Sequence, residues 1–449
     1  MRARTRKGRP DSPTAESLRA ALTQAGAAET VRGVNVRLPT LALPTFSLAL
    51  AMSVLTTYAP LLLGESTSSS SAIGLAVGGE GLFALFLPLV IGGLSDRTST
   101  RFGARLPYTI FATPLLVVPL VILPFAHGYA QTVALVSLFF VGYFVYYPPY
   151  QALFAELVPA AQQGRAQGAQ GVMRGLGLGA ALVGGGLLLS VWTPLPFVLA
   201  GLAFALTTVV LVREVRGPAR ITVARASSRS SGPGVLGLVR RSRELRAFVV
   251  ANALWELSFM GLKTFIVLYV VRGLGESVGT ASAVIGVVAG SYVVTSALVG
   301  RAADRIGVHR LLRAALWIYG AGLLVGAGAS SLGPLLVVLP VVALAGAVVM
   351  TLPYGLLVQM TPVGAEGATS GLFGFSRALG AILGPVVVGL SIDFLGPLFP
   401  ATHGYGAMWL ALAAPILLSL RLMPALAVER EEETVLRGAA RREELALAA

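Results

Sequence analysis

Apolar runs of about twenty residues, separated by short polar stretches, recur along almost the whole chain. That is the length a helix needs to cross a bilayer. Twelve such runs lie near 39–63, 71–94, 108–126, 131–157, 166–190, 194–212, 247–270, 278–300, 311–329, 333–360, 367–392 and 404–423. Strands of a membrane barrel would be half as long and would alternate in polarity. The pattern therefore predicts an all-α membrane protein with twelve transmembrane helices.

Composition agrees, since 55% of residues are hydrophobic and 12% charged, with a mean hydropathy of +0.79; a soluble domain carries about a quarter charged residues. The basic residues then orient the chain. Arg2, Arg4, Arg6, Lys7 and Arg9 precede segment 1, and Arg97, Arg101 and Arg105 follow segment 2. Nine arginines from Arg213 to Arg246 separate segments 6 and 7, and Arg301, Arg305, Arg310 and Arg313 follow segment 8. The alternate loops offer only Arg272. By the positive-inside rule both termini and the central linker are cytoplasmic. The expected organisation is a basic tail (1–38), a six-helix bundle (39–212), an Arg-rich linker (213–246), a second six-helix bundle (247–423) and a tail (424–449). The net charge of +14 is scattered over short loops, so it reads as a topology signal and not as a nucleic-acid surface. The first apolar run is late and too long for a cleavable signal, which points to a multi-pass protein of the inner or plasma membrane. The chain has no cysteine, and its three histidines stand in separate loops, so neither a metal site nor a cofactor motif is visible. The GLGLGA at 175 follows no strand and is not a dinucleotide fingerprint.

An internal repeat connects the halves. Gly92, Asp96, Arg97 and Arg105 recur at Gly300, Asp304, Arg305 and Arg313, all displaced by 208 positions. Around segments 5 and 11, Pro159, Gly164, Gly168, Gly171, Arg174, Gly177 and Gly186 recur at Pro362, Gly367, Gly371, Gly374, Arg377, Gly380 and Gly389, all displaced by 203. Two six-helix units inserted with the same orientation are expected of a parallel-repeat transporter that rocks around a central site.

The Gly-x-x-x-Asp-Arg run after segment 2, echoed after segment 8 in a 6+6 chain, resembles the major facilitator superfamily. SDRTSTRFGARLPY (95–108), PYQALFAELVP (149–159) and SVLTTYAPLLLG (53–64) look like the glycoside, pentoside and hexuronide cation symporters and the related sucrose/proton symporters. The loop departs from that group in having Ala104 and Leu106 around Arg105. The resemblance implies a gate at the cytoplasmic helix ends: Asp96 approaches the start of segment 11, Arg97 approaches Glu156, Asp304 and Arg305 form a second copy, and Arg101 and Arg105 complete the basic set. Charges at helix ends suit this task because their contacts form and break in water. Anchoring to lipid headgroups is the alternative. The sodium-coupled members resembled carry aspartates at positions that align with Ala84, Pro88 and Tyr147. With all three missing, a proton is the better coupling ion than sodium.

Charges within the membrane segments cost at least ~2.5 to 3.5 kcal/mol at a helix centre and need a partner or water. Glu80, Arg174, Glu256, Lys263 and Arg377 are five such residues. Asn252, Glu256, Phe259 and Lys263 form one stripe of segment 7 that should line a cavity, or else make polar contacts between helices. Segment 4 carries an aromatic stripe, Phe140, Tyr143, Tyr147, Tyr150 and Phe154, with Pro148 and Pro149 loosening the middle of the helix. Tyr147 and Tyr150 are candidates for stacking on a sugar ring, against plain packing. By resemblance Arg174 is a sugar-contacting arginine and Arg377 a base near the carboxylates of segment 2; bracing of each bundle is the alternative. Glu80, Glu256 and Arg377 are thus the coupling candidates, and Arg174, Tyr147, Tyr150, Asn252 and Lys263 the substrate candidates. The glycine stripe Gly164, Gly168, Gly171, Gly175 and Gly179 predicts close helix packing.

The expectation is a monomeric secondary transporter working by alternating access, a proton-coupled symporter of a sugar, glycoside or related polyol. Proton-driven export of drugs or metabolites is the alternative within transport, and a membrane sensor or scaffold the alternative outside it. Three bases against two acids in the segments disfavour cationic drugs. The segments outside the membrane are too short for a catalytic domain, so an enzyme is not expected.

Overall fold

The computed structural model describes residues 37–98, 100, 103–158, 162–215, 242–361 and 366–426; most of the tails and linker, with Arg101, Pro159 and Pro362, lies outside them. No strand occurs among the described residues. The helices are α1 (Leu38–Ser66), α2 (Ser70–Arg97), α3 (Leu106–Ile122), α4 (Tyr129–Leu157), α5 (Gln163–Gly179), α6 (Leu195–Val215), α7 (Arg243–Leu268), α8 (Val278–Ile306), α9 (Val308–Gly326), α10 (Leu332–Thr351), α11 (Glu366–Leu395) and α12 (Ala407–Ser419). Eleven are long and apolar enough to cross a membrane, and α8 carries the shorter apolar stretch Val278–Tyr292.

Local chemistry sets the ends and breaks. Ser69, Ser242 and Ser277 cap α2, α7 and α8, each accepting a hydrogen bond from a backbone N–H three residues on. Gly307, at φ +91°, makes the sharp corner from α8 to α9 that a side chain would resist. The run at 333–360 is not one helix: it stops at Thr351 and restarts at Pro353–Met360, because proline lacks the N–H and crowds the preceding turn. By contrast α4 continues unbroken through Pro148 and Pro149. Helix α5 passes through a π-helical turn, Ala180–Gly184, into Gly185–Val191. The Tyr58 ring of α1 fills the space there, 2.7 Å from where a Cβ of Gly185 would stand.

Two hydrophobic cores form, one within residues 41–215 and one within 245–426. The second also takes in Leu63, Ile73, Ala76 and Val77, from the ends of α1 and α2 remote from the arginine-rich loops. The two most buried spans, α1 and α7, occupy equivalent places in the repeat.

The halves meet along α2 with α11, and along α5 with α8. Both seams are closed at one end only. A Cβ on Gly74 would stand 2.1 Å from the carbonyl oxygen of Pro385, and one on Gly81 2.7 Å from that of Ala378, so backbone lies on backbone. Further along the same faces Leu89 is 76% exposed, and a Cβ on Gly92 or Gly374 would meet nothing within 4 Å. The second seam behaves alike. Gly186 lies against Ser282 and Gly286 near Val183, whereas Gly290 of α8 stands open. The predicted close packing of the α5 glycine stripe is therefore corrected: Cβ atoms on Gly168, Gly171, Gly175 and Gly179 would all meet open space, and Gly177 and Gly186 are the tightly packed glycines. The stripe continues the face that holds α8, but at the arginine-rich end α8 does not reach it. The side chain of Gly164's position lies outside the described set.

Candidate functional site

Between the diverging helices lies a charged group drawn from three of them. Glu80 stands on α2, Glu256 and Lys263 on α7, and Arg377 on α11, each close enough to act electrostatically on the others. Arg377 donates from Nε to Glu256 Oε1 at 2.6 Å, while its side chain remains 50% exposed and lies 5.8 Å from the Phe373 ring centroid. A guanidinium deep among helices yet half exposed lines an open space. Glu256 is buried, and its Oε2 has no hydrogen-bond partner. The acid paired with Arg377 is thus Glu256 of its own half. Glu80, from the other half, makes no ion pair within 4.0 Å among the described residues, and neither does Lys263.

The predicted α7 stripe is only partly a lining. Asn252 is buried and donates from Nδ2 to Ser376 Oγ at 2.8 Å, which makes it a packing contact between α7 and α11. Phe259 packs near Tyr292 of α8, with ring centroids 6.1 Å apart.

The aromatic stripe of α4 divides as well. Phe140, Tyr150 and Phe154 are buried in the core of their half. The Tyr150 hydroxyl donates to the Leu41 carbonyl at 2.8 Å and bonds Thr45 Oγ1 at 2.8 Å, bracing α4 against α1. Tyr143 and Tyr147 are half-buried and stacked, with centroids 5.8 Å apart and planes 9° apart. Tyr143 is within electrostatic reach of Glu80, Arg174 and Arg377. Arg174 is exposed. Tyr143 was recognisable in the sequence only as a member of the stripe.

At the arginine-rich end the carboxylate of Glu156 is taken by Arg105, not Arg97: Arg105 Nε donates to Glu156 Oε1 at 2.8 Å and its NH1 donates to Ser95 Oγ at 2.6 Å. One guanidinium so ties α2, α3 and α4 within one half, because the chain reverses at Gly103 and brings Arg105 back beside Ser95. Arg97, Asp304 and Arg305 are exposed at helix ends, and the side chain of Asp96 lies outside the described set.

Residues 41–291 and 257–448 each match the sequence profile of the Major Facilitator Superfamily. No curated protein sequence matches. Among solved structures, the chain is similar to the nucleoside transporter NupG (TM-score 0.73, 13% identity, covering 88% of this chain and 100% of that one). It is also similar to a bacterial homologue of the human lysosomal transporter Spinster in an inward-facing, unoccupied conformation (TM-score 0.71, 16% identity, 87% and 95% covered). A bacterial homologue of the iron transporter ferroportin in an inward-facing state gives a TM-score of 0.63 at 12% identity, with 88% and 99% covered.

Proposed function

The chain belongs to the Major Facilitator Superfamily, and on that premise we propose that it is a monomeric, twelve-helix, proton-coupled symporter of a sugar, glycoside or related polyol. It is an integral multi-pass membrane protein with a transporter fold. In our reading α1–α6 (39–212) and α7–α12 (247–423) rock as two bundles, with both tails and the linker in the cytoplasm and the bilayer that of the inner or plasma membrane. The arginine-rich loops then mark the inner side, and the open seams make this the inward-facing state.

The observation that carries the reading is Glu80 from one half set beside Lys263 and Arg377 of the other. A carboxylate with no ion pair among the described residues, within electrostatic reach of cations of the opposite bundle, attracts the other half when charged. Protonation removes the attraction, so a proton bound in one access state and released in the other drives the cycle. The solute would lie between the stacked face of Tyr143 and Tyr147 and the donors of Arg174 and Lys263, above the gate of Asp96, Arg97, Arg105 and Glu156. Stacking plus hydrogen bonds is what a sugar ring requires. Motifs that resemble the glycoside and sucrose symporters support the same class.

The test uses Glu80→Gln protein in sealed vesicles. Uphill uptake of the solute with accompanying proton entry should be lost, while downhill exchange continues. Retained proton-driven accumulation would refute the assignment, and the same measurement on Glu256→Gln examines the second carboxylate.

A further inference from the structure

The outer seam is closed by more than shape. Asp393, in the last turn of α11, holds the N-terminus of α2: its Oδ1 accepts from the Ser70 N–H at 2.8 Å, and its Oδ2 accepts from the Ser71 N–H at 2.9 Å, Ser71 Oγ at 2.6 Å and Ser69 Oγ at 3.0 Å. These bonds are charge-assisted, and the carboxylate meets the positively polarised end of the helix. Across the short α1–α2 connection a cation does the complementary thing. The Arg272 guanidinium lies against Gly64 in the last turn of α1, its carbon 2.7 Å from where a Cβ would stand. Helix C-termini are negatively polarised. The second half thus grips one connection of the first with two charges, each of the sign its helix end attracts.

We propose that Asp393, assisted by Arg272, is the outer lock of the transport cycle and the counterpart of the inner gate at Asp96. Helices α2 and α11 run antiparallel in contact. Each therefore ends where the other begins, and each has an aspartate in its last turn, Asp96 in one and Asp393 in the other. Here Asp393 is engaged with α2, and at the far end the same two helices have parted. A cleft open to either side requires one end of this seam to be parted, so the two aspartates cap the partner helix in alternation. The inference rests on the alternating-access reading, but not on the identity of solute or ion.

The chain has no cysteine, so single introduced cysteines report without background. Ser282→Cys places one in the closed outer seam, where Ser282 is 1% exposed; Gly374→Cys places one on the parted inner face, where its Cβ meets nothing within 4 Å. Labelling of full-length protein in membranes by an impermeant maleimide is followed at each. Asp393→Asn should shift the ratio of outward- to inward-open states about tenfold, raising the rate at position 282 from the outer side and lowering the rate at 374 from the inner side. Ser71→Ala, which removes one of the bonds, should move both rates in the same directions by less, and keeps the test readable should Asp393→Asn fold poorly. Rates that both rise would mean that Asp393 merely holds the fold together. A rise at 282 alone would mean local fraying, and unchanged rates would mean no lock; each overturns the proposal. The assay needs neither solute nor proton gradient, so loss of the sugar assignment in the vesicle experiment would leave it standing.

Discussion

Removing either partner of the Glu256–Arg377 pair should have unequal consequences. Glu256 is 4% exposed, with one carboxylate oxygen bonded to Arg377 and the other buried without a partner. Arg377 keeps half its side chain accessible. Arg377→Met strands a buried negative charge, which costs about 3 to 5 kcal/mol. Glu256→Gln removes the desolvated charge and leaves a guanidinium that water can reach, at roughly 1 to 2 kcal/mol. The double variant has no stranded charge and should be more stable than Arg377→Met alone, with a coupling of about 2 kcal/mol. Unfolding of purified protein in detergent measures all three. Equal losses for the two single variants, or an additive double, would refute the reasoning.

Three other substitutions read separate parts of the structure. Gly175→Trp should fold, since a Cβ there meets open space, yet it obstructs closure of the α5 face onto α8; transport should fall at least ~tenfold while solute binding in the open state persists. Wild-type flux would show that this face never closes. Tyr150→Phe should lower stability by about 1 to 2 kcal/mol through loss of the bonds to Leu41 and Thr45, with solute affinity unchanged in calorimetry. A selective loss of affinity would return Tyr150 to the binding site. Arg105→Lys cannot keep both Glu156 and Ser95 in one planar fork, and should cost about 1 kcal/mol; unchanged unfolding would place the brace elsewhere.

The helices were legible because bilayer thickness imposes a length and an apolar composition that no other constraint obscures. Their interruptions were less so. Pro353 breaks its helix while Pro148 and Pro149 do not, a difference set by what surrounds each turn. The five membrane charges could be picked out because each is costly alone, but their pairing could not: Glu80 and Glu256 are both one helix packing away from Arg377, and only the approach of Gly380 to the Glu256 Cβ brings the latter within bonding distance. Arg105 takes Glu156 in place of Arg97 for a comparable reason, since the reversal at Gly103 turns a residue eight positions further along the loop back onto α2. Asp393 left no trace in the sequence. Its partners are more than three hundred residues away, and an acid near a helix end has no periodicity to betray it.

The apolar core of the second half extends over Leu63, Ile73, Ala76 and Val77 of the first. Opening the outer seam wets those side chains, while the empty glycine face of α5 and the exposed Leu89 of α2 offer comparable surface to be dried at the inner seam. Apolar hydration is the chief source of heat-capacity differences between protein states. If the areas exchanged are similar, the two conformers differ little in heat capacity, and their ratio should follow temperature along a straight van 't Hoff line. A straight line means a constant enthalpy difference, so warming moves the ratio of the two conformers steadily in one direction, with no intermediate temperature at which either is most favoured.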